Sequence, residues 1–306
     1  MAPAPTGPPV LGGMQLPMRF TRRAWTTFSL ALGLTCATAL AQDTLRCQLL
    51  DTLGAPVPYA NVYAPALGQG AVADGDGHFA LALDAGVSDD TLLLSCVGFA
   101  ERRIPVAEAR SACPLTLSPA AYGLSTAVVR AGGSEGKSRV YGVRAKHTLG
   151  SAALLGDDDV EEMRAFEIGN VMKAEGTWHL QEIRTYLKGM RGDTITMEFT
   201  VYGYADGAPT EPLHTRRLLH ELTEDDKKGP IAIDVAEAGI WGEGPFFVAF
   251  RILDGLERGT SVKFPARIGR AATAYRAAGE EWSDIPIASV ALSARVLRYG
   301  RVYPLD

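Results

Sequence analysis

The sequence predicts an all-β protein made of two β-sandwich domains behind a removable leader, and three observations carry that prediction. Between residues 44 and 129 short apolar–polar alternations are broken by Gly, Pro and Asp turns, at the spacing of about 8 to 12 residues typical of sandwich strands. A small, polar, glycine-rich stretch, "AGGSEGKSRV" at 131–140, then has the composition of a linker. Beyond it the alternation resumes in "TWHLQEIRTYLKG", "DTITMEFTVYGY", "RRLLHELTE", "GPIAIDVAEAG", "GPFFVAFRILDG" and "IASVALSARVLRY". The expected organisation is a leader at 1–41, a first sandwich at 42–130, a linker at 131–142 and a second, jelly-roll-like sandwich at 143–306.

The leader reads as an export signal. Arg19, Arg22 and Arg23 precede an apolar run from Phe28 to Leu40, and Ala39-Leu40-Ala41 is a small-residue cleavage site before Gln42. Residues 1–17, rich in Pro and Gly, do not suit the basic start of such a signal, so both Met1 and Met18 stand as starts. Gly33-Leu34-Thr35 before Cys36 is a poor lipidation box. No later stretch approaches the ~20 apolar residues of a spanning helix, so no transmembrane span is expected in the mature chain. Removing the three arginines takes the formal net charge from −5 to −8, which disfavours nucleic acid as a partner. The expected location is the periplasm, the outer-membrane surface or the exterior.

In the first sandwich "TLRCQLLD" alternates and stops at Gly54, "PVPYANVYA" follows, and "HFALALD", "TLLLSCVGFAERRIPV", "LTLS" and "LSTAVVRA" complete the strands, with hardly room for a helix. The stretch "AVADGDGHFALAL" poses a choice between metal loop and turn. Asp74 and Asp76 begin as a calcium loop does, and His78 suits a softer metal, but the later oxygen ligands and the closing Glu of such a loop are missing. A tight hairpin turn is expected, with Gly75 and Gly77 at positive φ. Cys47, Cys96 and Cys113 remain after the leader, each among apolar residues; packed free thiols and one disulfide are both open, and no C-x-x-C pair suggests zinc or thiol chemistry.

Taken together, Asp51-x-x-Gly54-x-Pro56-Val57-Pro58-Tyr59-Ala60-Asn61-Val62, Ala71-Val72-Ala73-Asp74-x-Asp76-Gly77-x-Phe79, "DDTLLLSCVGFAERRIPV" and "LSTAVVRA" resemble the carboxypeptidase regulatory-like domain. The resemblance implies a transthyretin-like (prealbumin-like) sandwich, common in exported proteins of Bacteroidetes-type bacteria. Ser95-Cys96-Val97-Gly98-Phe99 keeps the family's Ser-x-x-Gly-aromatic pattern with Phe where Tyr is commoner. The second half is similar to the uncharacterised β-rich region that often follows this domain, which implies architecture and no activity.

Few residues suggest chemistry. His179-Leu180-Gln181-Glu182 has the H-x-x-E spacing of metallocarboxypeptidase zinc ligands, but it lies on strand text, where residues three apart point to opposite faces unless a bulge intervenes. His214 and His220 are expected as lone polar surface groups, and His147 lies beside Lys146 near a linker. No G-x-S-x-G elbow occurs, the glycines of "GGSEGKS" miss the phosphate-loop spacing, and the Tyr-Arg-Gly-Ser ending of the transthyretin-like hydroxyisourate hydrolases is absent. Asp157, Asp158 and Asp159 favour the start of a short helix in "GDDDVEEMRAFEIG", with a calcium site as the alternative.

Trp241 and Trp282 stand at strand boundaries and form a tentative ligand surface, since flat indole faces hold sugars and peptides; plugging the sandwich ends is the alternative. The expectation is an exported, non-enzymatic cell-envelope protein without cofactor, catalytic or metal residues, whose regulatory-like domain is an accessory or interaction module for an envelope protein or glycan. The rivals are a carbohydrate-binding or carbohydrate-active C-terminal sandwich and a metallocarboxypeptidase-related hydrolase.

Overall fold

A computed structural model describes residues 43–83, 90–120, 136–144, 150–155, 164, 166–257, 259–268, 273–277, 280–286 and 288–299. The expected leader, "LSTAVVRA", His147, Asp157–Asp159 and most of the helix expected near them lie outside the described residues. The described chain is nearly all β, and every described strand pairing is antiparallel except that of β1 (Asp43–Asp51) with β7 (Leu115–Leu117).

In the first sandwich β1 lies between β7 and β4 (His78–Leu83), and the facing sheet runs β3 (Gln69–Val72), β2 (Asn61–Ala64), β5 (Thr91–Ser95), β6 (Arg102–Pro105). Period-two alternation decides what enters the core: Phe79, Leu81 and Leu83 are buried, while His78, Ala80 and Ala82 are exposed. Leu45 and Leu49 of β1, Val62 of β2 and Leu92 and Leu94 of β5 meet them between the sheets. A short helix, α1 (Val106–Ser111), occupies text in which no helix was expected. It follows Pro105 directly and buries Val106 and Ala109, three apart and so on one helical face. Cys47 and Cys113 form a disulfide, and Cys96 is free and buried.

The Asp-Gly stretch is a closed turn. The Asp74 carboxylate accepts the N–H groups of Asp76 (2.9 Å) and His78 (2.8 Å) through Oδ1 and so closes the turn. Of the two glycines expected at positive φ, only Gly77 adopts it (φ 78°); a Cβ there would stand 2.6 Å from the Leu49 carbonyl, so the turn requires glycine.

The C-terminal region adds three sheets. A seven-stranded sheet runs β14 (Ala208–Pro212), β13 (Ile195–Ala205), β18 (Phe246–Asp254), β10 (Glu167–Met172), β20 (Thr273–Arg276), β21 (Ser283–Ile285), with β15 (Leu218–Leu222) also on β13. A five-stranded sheet runs β16 (Pro230–Asp234), β11 (Thr177–Tyr186), β23 (Leu292–Arg298), β8 (Lys137–Gly142), with β17 (Trp241–Glu243) also on β11. The text of β8 was expected to end the linker; its register with β23 instead makes it an edge strand that packs Tyr141 against the core. Beyond the two sheets of a plain jelly roll, β12 (Gly189–Arg191), β19 (Ser261–Ile268), β22 (Ala288–Val290) and β9 (Gly150–Leu155) form a four-stranded sheet that gives Met190, Val262, Phe264 and Val290 to the same core.

The strand β18 is buried on both faces. Phe246, Val248, Phe250 and Ile252 point into the main core, and Phe247 and Ala249 point outward into a separate small cluster with Tyr202 and Ala274. The seven-stranded sheet therefore carries a second covered layer, which holds Glu167, Glu198 and Arg251, most of the buried charged side chains among the described residues.

The Cys47–Cys113 bond closes a loop with a sequence separation of 66. Reduction, or replacing both cysteines by Ser, is expected to lower unfolding stability by about 2–4 kcal/mol, read from urea transitions with and without reductant. An unchanged midpoint would mean that the bond adds nothing to the fold.

Candidate functional site

The H-x-x-E pair departs from the simple strand expectation. The pairing of β11 with β23 shifts register between Leu180 and Glu182, so a β-bulge sits at Gln181. Leu180 and Ile183 consequently both enter the core, and His179 and Glu182 share the outer face. They are nonetheless held apart chemically. Glu182 accepts from both the Nε and Nη2 groups of Arg184, and Arg295 Nη2 stands 3.1 Å from it. Burial tends to raise the Glu182 carboxyl, and the two arginines outweigh this and hold it below its ordinary value. His179 takes a hydrogen bond at Nδ1 from Gln181 Nε2 (2.8 Å), and burial lowers its pKa. Among the described residues no group of three or more His, Cys, Asp or Glu stands together as metal ligands would.

Trp241 and Trp282 do not form one surface. Trp241, partly exposed, lies on the outer face of the five-stranded sheet, stacked on its cross-strand neighbour His179 (centroids 4.3 Å, interplanar 5°) and on Tyr299 (5.4 Å, 25°). Trp282 lies over the outer face of the seven-stranded sheet, edge-on to Phe247 (4.9 Å) and Tyr202 (5.6 Å). The Arg276 guanidinium sits between the rings of Trp282 (4.6 Å) and Tyr202 (5.3 Å), a cation–π arrangement. It donates to Glu167 (2.7 Å) and to the Tyr202 hydroxyl (2.8 Å), which itself donates to Glu167 (3.0 Å). Burial drives the Tyr202 phenol far above its ordinary pKa. Trp282, partly buried as Trp241 is, thus covers a buried polar cluster on one sheet while Trp241 stands on another.

His214 is also corrected. It is 5% exposed, accepts the Val201 N–H at Nε2 (3.0 Å) and lies with Nδ1 2.6 Å from the Arg216 carbonyl, so the neutral ring with a proton on Nδ1 satisfies both contacts. His220, partly buried, stands 3.8 Å from Asp226.

The most constrained constellation was not singled out from sequence. Glu198 on β13 faces Arg251 on β18 in direct register, both on the outer face and both buried. Arg251 donates to Glu198 through Nε (2.9 Å) and Nη2 (2.7 Å), and Arg217 donates to it through Nε (2.6 Å). The guanidiniums then reach the first sandwich: Arg251 to Asn61 Oδ1 (2.6 Å) and the Tyr59 carbonyl (3.1 Å), Arg217 to the Pro58 carbonyl (2.8 Å). Tyr59 holds a left-handed φ of 56°, with the Arg217 guanidinium 5.3 Å from its ring centre. At Gly98 a Cβ would stand 2.5 Å from the Thr215 carbonyl. Both the Pro58–Asn61 and the Ser95–Phe99 stretches therefore meet the His214–Arg217 turn. Burial pushes the Glu198 carboxyl up, and the charges of Arg251 and Arg217 overcome that and hold it ionised. The available signal was a Glu and an Arg each inside an otherwise apolar strand, "TMEFTVY" and "FFVAFRILD".

Among the described residues no helix is long and apolar enough to cross a membrane. No family model matches the chain, and no curated protein matches it. Among solved structures it is similar to the cysteine protease and lectin-like domains of Cwp84, a surface layer associated protein of Clostridium difficile, at 10% identity and a TM-score of 0.38. The match covers 53% of this chain and 36% of that one, and so slight a likeness carries no argument about activity.

Two measurements address these groups. Arg251→Met leaves Glu198 buried beside Arg217 alone and is expected to cost about 3–5 kcal/mol, with partial recovery in the Glu198→Gln/Arg251→Met double variant, both read by denaturant unfolding. The folded chain depresses the His214 pKa from its ordinary 6.5 by burial, so the unfolded chain binds the proton more readily. Its stabilising contribution is therefore full above about pH 6.5 and is lost as the pH falls through the lower folded value. Thermal melts between pH 7.5 and 5 should show a smaller loss in His214→Gln than in the parent; equal slopes would exclude His214 as the titrating group.

Proposed function

We propose that this chain is an exported, non-enzymatic protein of the cell envelope, in which a carboxypeptidase regulatory-like sandwich is an interaction module fixed against a second sandwich. The observation that carries this reading is the junction: Arg251 and Arg217 bond to Pro58, Tyr59 and Asn61, within the stretch on which the family resemblance rests. An accessory domain held this way shapes and braces its neighbour. Export is supported by the Cys47–Cys113 disulfide, a bond that persists in oxidising compartments. The non-enzymatic reading is supported by the commitments of the reactive groups: Glu182 to two arginines, His214 to backbone, and the Cys96 thiol pushed up to about 11 by burial.

A glycan-binding second reading is favoured by one observation, the partly exposed Trp241 stacked on His179 and Tyr299, with the Glu182, Arg184 and Arg295 side chains on the same sheet face. Purified mature protein is expected to turn over no peptide, ester or glycoside panel; turnover that copurifies with the chain and disappears in Glu182→Gln would sink the non-enzymatic reading. Titration against soluble polysaccharides tests the second reading: binding that Trp241→Ala abolishes supports it, and binding equal to the parent's removes it.

A further inference from the structure

We propose that oxidation of Cys47 and Cys113 is the step that docks the two sandwiches, so that the junction closes in an oxidising compartment and is loosened by reduction. The inference rests on the docked junction of the reading above and not on its lack of catalysis. Its basis is where the bond lies in the sheet. The offset of 66 between Cys47 and Cys113 is also the offset of Leu49 from Leu115 and of Asp51 from Leu117. The bond therefore continues the parallel ladder of β1 and β7, two positions before its first pair. That ladder holds three residue pairs, and parallel pairing is the weaker kind per residue. So short a strand must close a long loop to reach its partner, a cost that a covalent bond removes from folding.

The strand pinned in this way leads directly to the surface that meets the second sandwich. Just beyond β7 the Ser118 carbonyl accepts the Ala100 N–H (2.8 Å), the Gly98 carbonyl accepts the Ala120 N–H (2.9 Å), and Phe99 bridges to Pro119. Residues 98–100 are thus held by 118–120. Gly98, at φ 90°, lies so near the second sandwich that a Cβ would stand 2.5 Å from the Thr215 carbonyl. Register fixed at the disulfide is in this way passed through β7 to the turn that packs on His214–Arg217. Cys96 begins the same turn: its carbonyl accepts the Phe99 N–H (3.0 Å), and its buried thiol lies 3.9 Å from the Pro58 carbonyl, the acceptor of Arg217 Nη1. Of Cys47, Cys96 and Cys113 only Cys96 stays a thiol, so it reports on the junction.

The two sulfurs differ in access, because Cys113 is exposed and Cys47 is buried. The Cys113 thiolate meets a small disulfide oxidant first, forming a mixed disulfide and releasing one thiolate. The Cys47 thiolate then attacks the Cys113 sulfur and expels the second. One external disulfide is reduced to two thiols, which take up the two protons lost by Cys47 and Cys113. In the reduced chain β7 is held by its three ladder pairs, the buried Leu115 and Leu117, and the bond from Arg102 Nη1 to the Thr116 carbonyl (2.7 Å). Residues 118–120 then lose the enforced position from which they hold the Gly98 turn against Thr215.

The test compares the mature chain oxidised with glutathione disulfide, the Cys47→Ser/Cys113→Ser variant, and Gly98→Ala with the bond intact. Cys96 is alkylated with iodoacetamide and followed by mass spectrometry, and the amides of β4 and β5 are followed by hydrogen exchange. Cys96 is expected to react slowly in the oxidised parent and about tenfold faster in the double-serine variant, while β4 and β5 keep their protection. Gly98→Ala, whose new methyl group displaces the Thr215 carbonyl, should raise the rate by a similar factor. The proposal is overturned if Cys96 is equally protected with and without the bond, an outcome that leaves the junction itself standing, or if Gly98→Ala leaves Cys96 protected. It is also overturned if β4 and β5 lose protection together with Cys96, since the bond would then support the first sandwich as a whole and not its docking. Fast alkylation of the oxidised parent would overturn the proposal and the docked junction together.

Discussion

A single buried carboxylate, Glu198, organises the protein. It is 1% exposed on the outer face of a β-sheet, where an unpaired charge would not survive desolvation, and two guanidiniums meet it there. Those guanidiniums carry more N–H groups than one carboxylate satisfies. The remaining acceptors come from the first sandwich: the carbonyls of Pro58 and Tyr59 and the side chain of Asn61. The hydrogen bonding of these two guanidiniums is thus extended by residues more than a hundred positions earlier. Such a network adds little net stability over an apolar replacement, since desolvation offsets most of the attraction. Its contribution is directional, because the Pro58, Tyr59 and Asn61 acceptors meet the two guanidiniums in this docking geometry.

The local backbone of the first sandwich fits this demand. Tyr59 takes a left-handed conformation that a non-glycine residue adopts at a cost of about 1–3 kcal/mol. In that conformation the Pro58 and Tyr59 carbonyls both reach the arginines, and the Tyr59 ring lies against the Arg217 guanidinium. Gly98 serves the same junction by omission, since a side chain there would collide with the Thr215 carbonyl. The outer face of the seven-stranded sheet is in consequence covered at one end by the first sandwich and at the other by Trp282.

How much of this was legible in the sequence follows from the range of the interactions. Alternation such as "HFALAL" is local, so the all-β class and the Asp74–Gly77 turn could be read directly. The bulge at Gln181 could not, because it is set by the register of β11 against β23, more than a hundred residues away, and it moved Glu182 onto the face of His179. Trp282 was legible as a large aromatic near a strand end, but its partners Arg276 and Tyr202 come from other strands, and they decide that it packs. His214 looks polar and exposed in "PLHTRR"; its burial depends on Val201 across the sheet. Strand β18 reads as an apolar run because both its faces are covered, and within it Arg251 is conspicuous only once a second layer is known to exist.

Arg217 links the covered layer to the first sandwich through its donor groups. Nε is held by Glu198 and Nη1 by the Pro58 carbonyl, so the guanidinium plane is fixed by the junction. The third group, Nη2, therefore lacks the freedom to turn toward water that a surface arginine has.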